Sequence, residues 1–142
     1  MLKTSSVILF IGVLFAALYS LVIIVSPQTV ANATLKARSD TNLANIQDPG
    51  AADAILVETR HMGVFGFCIS LAMFFVLFAG FKKGQKWAWW AFLIVAGIAW
   101  LFGLVMQIIE GDVMNLVGHL IGTALWLIGI LLPIKGFFPK KA

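Results

Sequence analysis

The stretch FKKGQKWAWW, residues 81–90, lies between two long apolar runs. Lys82, Lys83 and Lys86 surround a single glycine, Gly84, and the tryptophans Trp87, Trp89 and Trp90 follow at once. Short loops rich in Lys and Arg stay on the cytoplasmic face of a membrane. Indoles collect at the headgroup level, where one edge of the ring is in hydrocarbon and the other in water. The stretch therefore predicts a tight cytoplasmic turn, with Trp87, Trp89 and Trp90 as interface anchors at the start of the next helix. Once this turn is placed, every other segment acquires a side.

The rest of the composition agrees with a membrane setting. The chain has 142 residues, 61% hydrophobic and 11% charged, with a mean hydropathy of +1.02. A soluble domain carries about 25% charged residues, so the deficit points to an integral membrane protein of one domain. The net charge of +4 does not indicate a nucleic-acid partner, because the basic residues sit at the borders of the apolar runs, where they set orientation. Membrane lipids are the first expected partners. Cys68 is the only cysteine, which excludes an intrachain disulfide and a Cys-based metal cluster. Inside an apolar run, it is expected to be a small buried packing residue.

Four spans follow: about 7–25, 61–81, 87–109 and 113–132. The first is 19 apolar residues, enough to cross about 30 Å of hydrocarbon at about 1.5 Å per residue. Lys3 and the Ala31-Asn32-Ala33 triplet have the form of a signal peptide and its cleavage site. The apolar run is too long for that and ends well before the triplet, so a retained helix is expected. Residues 26–58 form the one long polar segment, with a short helix expected on the outer surface. Asp48-Pro49 reads as a helix start, Asp as cap and Pro at the first position, so the second helix is expected to begin well outside the membrane. Glu110-Gly111-Asp112 reads as a tight turn. The fold class is all-α, an antiparallel four-helix membrane bundle with an outer loop of about 30 residues between helices 1 and 2.

Charge distribution fixes the sidedness. Lys3, Lys82, Lys83, Lys86, Lys135, Lys140 and Lys141 fall on one side with no acid, while Lys36, Arg38, Arg60 and all six acids fall on the other. The two sides carry +7 and −3, together the +4 of the chain. The expected location is the cytoplasmic (inner) membrane of a cell, with both termini cytoplasmic.

Lipid is as apolar as leucine, so membrane helices associate through small residues and polar bonds. The fourth span offers Asp112, Asn115, His119, Gly122, Trp126 and Gly129 at heptad spacing, and a small-xxx-small pair in Gly118 and Gly122. The second offers Gly63, Gly66, Ser70 and Met73. The third offers Ala96, Gly97, Gly103 and Gln107, and the first Gly12, Ala16 and Ser20. These faces are expected to meet in the bundle.

The same topology gathers Glu58, Arg60, His61, Gln107, Glu110, Asp112, Asn115 and His119 in an outer layer. His119 is the deepest, about 10 Å below Asp112 by helix rise. A polar residue at that depth must be partnered and is a functional candidate. In a ligand site, His119, Gln107 and Arg60 would hold the polar head of a lipid-soluble molecule. In a packing role, Asp112 caps its helix, Arg60 pairs with Glu110, and Gln107, Asn115 and His119 bond one another. The spacings HxxxN and ExxH are not metal-binding patterns, and no metal or cofactor is expected. No phosphate loop, nucleophile elbow or zinc-protease motif is present.

The segment GFKKGQKWAWWAF, residues 80–92, with Arg60-His61-Met62-Gly63 upstream, resembles small four-span membrane proteins, broadly DoxX-like. Their second-to-third helix turn reads basic-Gly-x-x-Trp-Ala-Trp-Trp. The resemblance covers the last three helices, about 80 residues, and implies the four-span fold but no catalytic residue. The expected function is non-catalytic: a small membrane protein that forms an oligomer or serves as accessory subunit of a larger membrane complex, with an outward-facing polar pocket for a small lipid-like ligand. The alternatives are a proton-coupled carrier working through His119 and a membrane-embedded enzyme acting on a lipid-like substrate.

Overall fold

The computed structural model describes residues 1–110 and 113–139, with side chains described for 1–109 and 116–139. Every regular element among them is helical. Helix α1 spans Leu2–Val25 and α2 spans Pro27–Ser39. After a 3₁₀ turn at Leu43–Asn45, α3 runs over Pro49–Ala79. A second 3₁₀ turn, Phe81–Lys83, leads into α4, Lys86–Ala91, which widens into a π-helical turn at Phe92–Ala96 and continues as α5, Gly97–Glu110. Helix α6 spans Val113–Leu131 and the short α7 spans Ile134–Phe137. Among the described residues, three helical stretches are long and apolar enough to cross a membrane: Leu2–Val25, Pro49–Lys83 and Lys86–Ile109; a shorter apolar helix covers Leu116–Leu131.

Local chemistry sets the element ends. The Asp48 carboxylate accepts from the Gly50 N–H at 2.8 Å, and Pro49 takes the first turn, where a missing N–H costs nothing. The resulting α3 has 31 residues, about 46 Å at about 1.5 Å per residue, well beyond a hydrocarbon core of about 30 Å. The polar segment before it is mostly helical rather than loop. Its α2 packs on α3 and buries Pro27 and Ala31. The Asn32 side-chain oxygen accepts from the Leu43 N–H at 2.9 Å and ties the 3₁₀ turn back to α2. In the basic turn, Gly84 stands at φ 71°, a left-handed conformation that glycine adopts without steric cost.

Helix α1 packs along α3 and α6, and α5 packs along α6. Small residues make these approaches possible. A Cβ on Gly63 would stand 2.9 Å from Ile24 Cγ1, and one on Gly66 2.6 Å from Ser20 Oγ. Between α5 and α6, a Cβ on Gly122 would run into the Trp100 ring and one on Gly103 into the His119 imidazole. A Cβ on Gly129 would strike Leu9 of α1.

Three expectations need correction. Gly118 is not part of a packing seam with Gly122, since a Cβ there would meet nothing within 4 Å. Cys68 is exposed, not buried, because it lies on the flank of α3 turned away from Gly66 and Ser70. The tryptophan trio does not act as one group. Trp87 and Trp90 are 47% and 49% exposed, but Trp89 is only 6% exposed. It lies in the buried cluster with Leu77, Phe81, Phe92, Ile130 and Phe137. There the carboxy-terminal segment folds back: Phe137 lies 5.0 Å from the Phe81 ring and Phe138 lies 5.1 Å from Trp89.

The glycine pattern gives a paired test. Gly122→Ala is expected to destabilise by about 1–3 kcal/mol through overpacking against Trp100. Gly118→Ala is expected to be neutral or to stabilise by up to about 1 kcal/mol, because it relieves a helix-interior glycine without a clash. Reversible unfolding in detergent micelles measures both.

Candidate functional site: a cavity among the long helices

A cavity of about 260 Å³ lies among the apolar helices. Helix α1 supplies Gly12, Ala16, Tyr19 and Ser20 to its wall, and α3 supplies Gly66, Ser70 and Met73. The third apolar stretch adds Phe92, Ala96 and Trp100, and α6 adds Gly118, His119, Gly122 and Trp126. The wall is mostly apolar, with a few polar groups. That combination is typical of a small-molecule site. An apolar cavity of about 150 Å³ already holds benzene, so this one has room for a larger ring or a short branched chain. Phe15, Tyr19, Ile69 and Ala99 line it and are also exposed, so it communicates with the surroundings of the helices.

Its framework depends on two indoles. The regular ladder of hydrogen bonds in the third apolar stretch is interrupted at the π-turn Phe92–Ala96, and such turns recur at functional sites. The Phe92 carbonyl accepts from Trp126 Nε1 at 2.9 Å. Trp126 is 5% exposed, and a Cβ on Gly97 would stand 2.7 Å from its Cζ2 atom. About one turn of helix away, Trp89 Nε1 donates to the Ile130 carbonyl at 2.9 Å. Ile130 is in the last turn of α6, where carbonyls lack a partner within the helix. Both bonds are buried, and they fasten the third apolar stretch to α6.

His119 packs over Gly103 and lies edge-on to Trp100, with ring centroids 5.9 Å apart. It is half-buried and is the one imidazole on the cavity wall. The other candidates whose side chains are described do not join it there. Arg60 and His61 are exposed and do not line the cavity. Gln107 is half-buried, one turn beyond Gly103, and its Oε1 is buried with no hydrogen-bond partner among the described residues. The side chains of Glu110, Asp112 and Asn115 lie outside the described residues, as do Gly111 of the expected turn and Lys140 and Lys141 of the basic tail. Among the described residues no three His, Cys, Asp or Glu side chains come together in a way that holds a metal.

Sequence reasoning placed Ser20, Ser70 and Trp126 on packing faces but did not assign them to a site. Tyr19 and Trp100 gave no sign beyond being aromatic residues in an apolar run. The sign that was available was the small-residue faces, which converge on this cavity from all sides. No family model, no curated protein and no solved structure matches the chain.

Replacing Trp126 by Phe keeps an aromatic, though smaller, ring and removes the donor. It is expected to leave the buried Phe92 carbonyl unsatisfied at a cost of about 1–3 kcal/mol. Amide exchange measured by mass spectrometry should rise over residues 92–97 and stay unchanged in α2.

Proposed function

We propose that this chain is a four-span, antiparallel membrane protein that binds a small lipid-like ligand in the cavity around His119, without catalysis. The single observation that carries the reading is the cavity itself: an apolar space bounded by all four apolar helices, with an imidazole on its wall. Support for the antiparallel arrangement comes from contact order. Gly63 meets Ile23 and Ile24 while Gly66 meets Ser20, and Gly103 meets His119 while Gly97 meets Trp126. In each pair one index rises as the other falls.

A membrane setting is further supported by what the helices leave outside. Phe65, Phe75, Ile98, Phe102, Ile108 and Ile109 are each more than 60% exposed, a cost that lipid removes and water does not. Near the basic turn, Lys82 Nζ lies 4.7 Å from the Phe78 ring centroid, as expected of a lysine whose stem runs along apolar surface while its charge stays at the boundary. The likeness of residues 80–92 to small DoxX-like four-span proteins agrees with this topology. On this reading the basic turn and both termini are cytoplasmic, in the inner membrane of a cell. The ligand enters from the lipid, where Phe15, Tyr19, Ile69 and Ala99 are exposed. Oligomers or a larger membrane complex would form through the remaining apolar surface.

Two measurements test it. In a Cys68→Ser background, cysteines placed at Lys83 and at Asn42 should react with an impermeant thiol reagent from opposite sides of sealed vesicles; labelling of both from one side would overturn the topology. In nanodiscs, native mass spectrometry should find the wild-type protein with a retained small apolar molecule. The Gly118→Leu variant, whose new side chain points into open space, should lose that mass while its unfolding temperature holds. Equal retention by both proteins would place the ligand elsewhere.

A further inference from the structure

Two polar groups of the cavity wall, Ser20 and Ser70, are left as acceptors only, and this bears on which ligand fits beside them. Ser20 and Ser70 line the cavity and are 6% and 3% exposed. Each has committed its single hydrogen to its own helix. Ser20 Oγ donates to the Ala16 carbonyl and Ser70 Oγ to the Gly66 carbonyl, both at 2.8 Å. A hydroxyl has one hydrogen and two acceptor lone pairs. Each Oγ is therefore left with acceptor capacity only. Gly66 adds to this by having no side chain where Ser20 Oγ sits, since a Cβ there would be 2.6 Å from it. The indole of Trp126 has likewise spent its N–H, on the Phe92 carbonyl.

Resting on the ligand-binding reading above, we infer that the ligand is an apolar alcohol whose hydroxyl donates to Ser20 or Ser70. An ether or ketone of the same shape would set its lone pairs against those of the serines. A carboxylate would do the same and would carry a buried charge besides, which is costlier still. An alcohol satisfies the wall with its hydrogen and fills the rest of the space with carbon. Its own oxygen remains able to accept, and the imidazole of His119 lies on the same wall.

The test compares three probes at equal mole fraction in nanodiscs holding the full chain: decanol with a diazirine in the chain, its methyl ether, and the matching alkane. After photolysis, peptide mass spectrometry reads the labelled segments. The alcohol is expected to label residues 12–20 and 66–73 about tenfold more than the ether or the alkane, the size of one net hydrogen bond. The double variant Ser20→Ala, Ser70→Ala should bring the three probes level without loss of fold, because each serine bonds only its own helix. Gly118→Leu should abolish labelling by all three. Equal labelling by alcohol and ether in the wild type, still blocked by Gly118→Leu, would overturn the inference and leave the cavity as a binding site. A preference for the alcohol that survives the double serine variant would also overturn it. Labelling that Gly118→Leu does not change would remove the ligand-binding reading itself.

Discussion

Two indole N–H groups, each given to a backbone carbonyl of another helix, are the constraint on which the remaining packing depends. Trp89 reaches the Ile130 carbonyl near the end of α6, and Trp126 reaches back to the Phe92 carbonyl at the π-turn. An unmet carbonyl away from water is expensive, and a neutral donor on a large flat ring satisfies it while adding contact area. Because the bonds point in opposite directions between the same two helical stretches, they fix the register as well as the separation. The glycine notches at Gly97 and Gly122 then receive the Trp126 and Trp100 rings.

Packing quality is uneven along the helices. The buried cluster concentrates near the basic turn, around Leu77, Phe81, Trp89, Phe92 and Phe137. There α3 meets α4 and the π-turn. The cavity lies next to the well-packed end. The π-turn contributes by shifting the phase of the third apolar stretch. Phe92 and Ala96 of that turn line the cavity together with Trp100.

Much of the helical plan was legible in the sequence. The four apolar runs, the Asp48-Pro49 helix start and the glycine turn at Gly84 all follow from local rules: run length, capping and backbone sterics. The small-residue faces on α1 and α3 were legible for the same reason, since Gly63, Gly66 and Ser70 repeat with the helix period. The π-turn was not legible, because FLIVA has no local feature that favours a widened turn; the Trp126 indole, 34 residues away, stabilises it. Neither was the burial of Trp89. Its neighbours Trp87 and Trp90 are of the same type and differ only in which face of α4 they occupy.

The sequence by itself determined that this chain makes long apolar helices, with its charges kept outside the apolar runs. Those outcomes need only composition, periodicity and the cost of moving a charge, which are properties of neighbouring residues. Only the tertiary structure decided which polar residues share a space. Arg60, His61 and His119 looked like one layer when counted along the helices, yet His119 stands with Ser20, Ser70 and Trp100 while Arg60 and His61 remain exposed. The reason is physical: run length fixes depth along a helix axis, but rotation about that axis is fixed only by the contacts a helix makes with its neighbours.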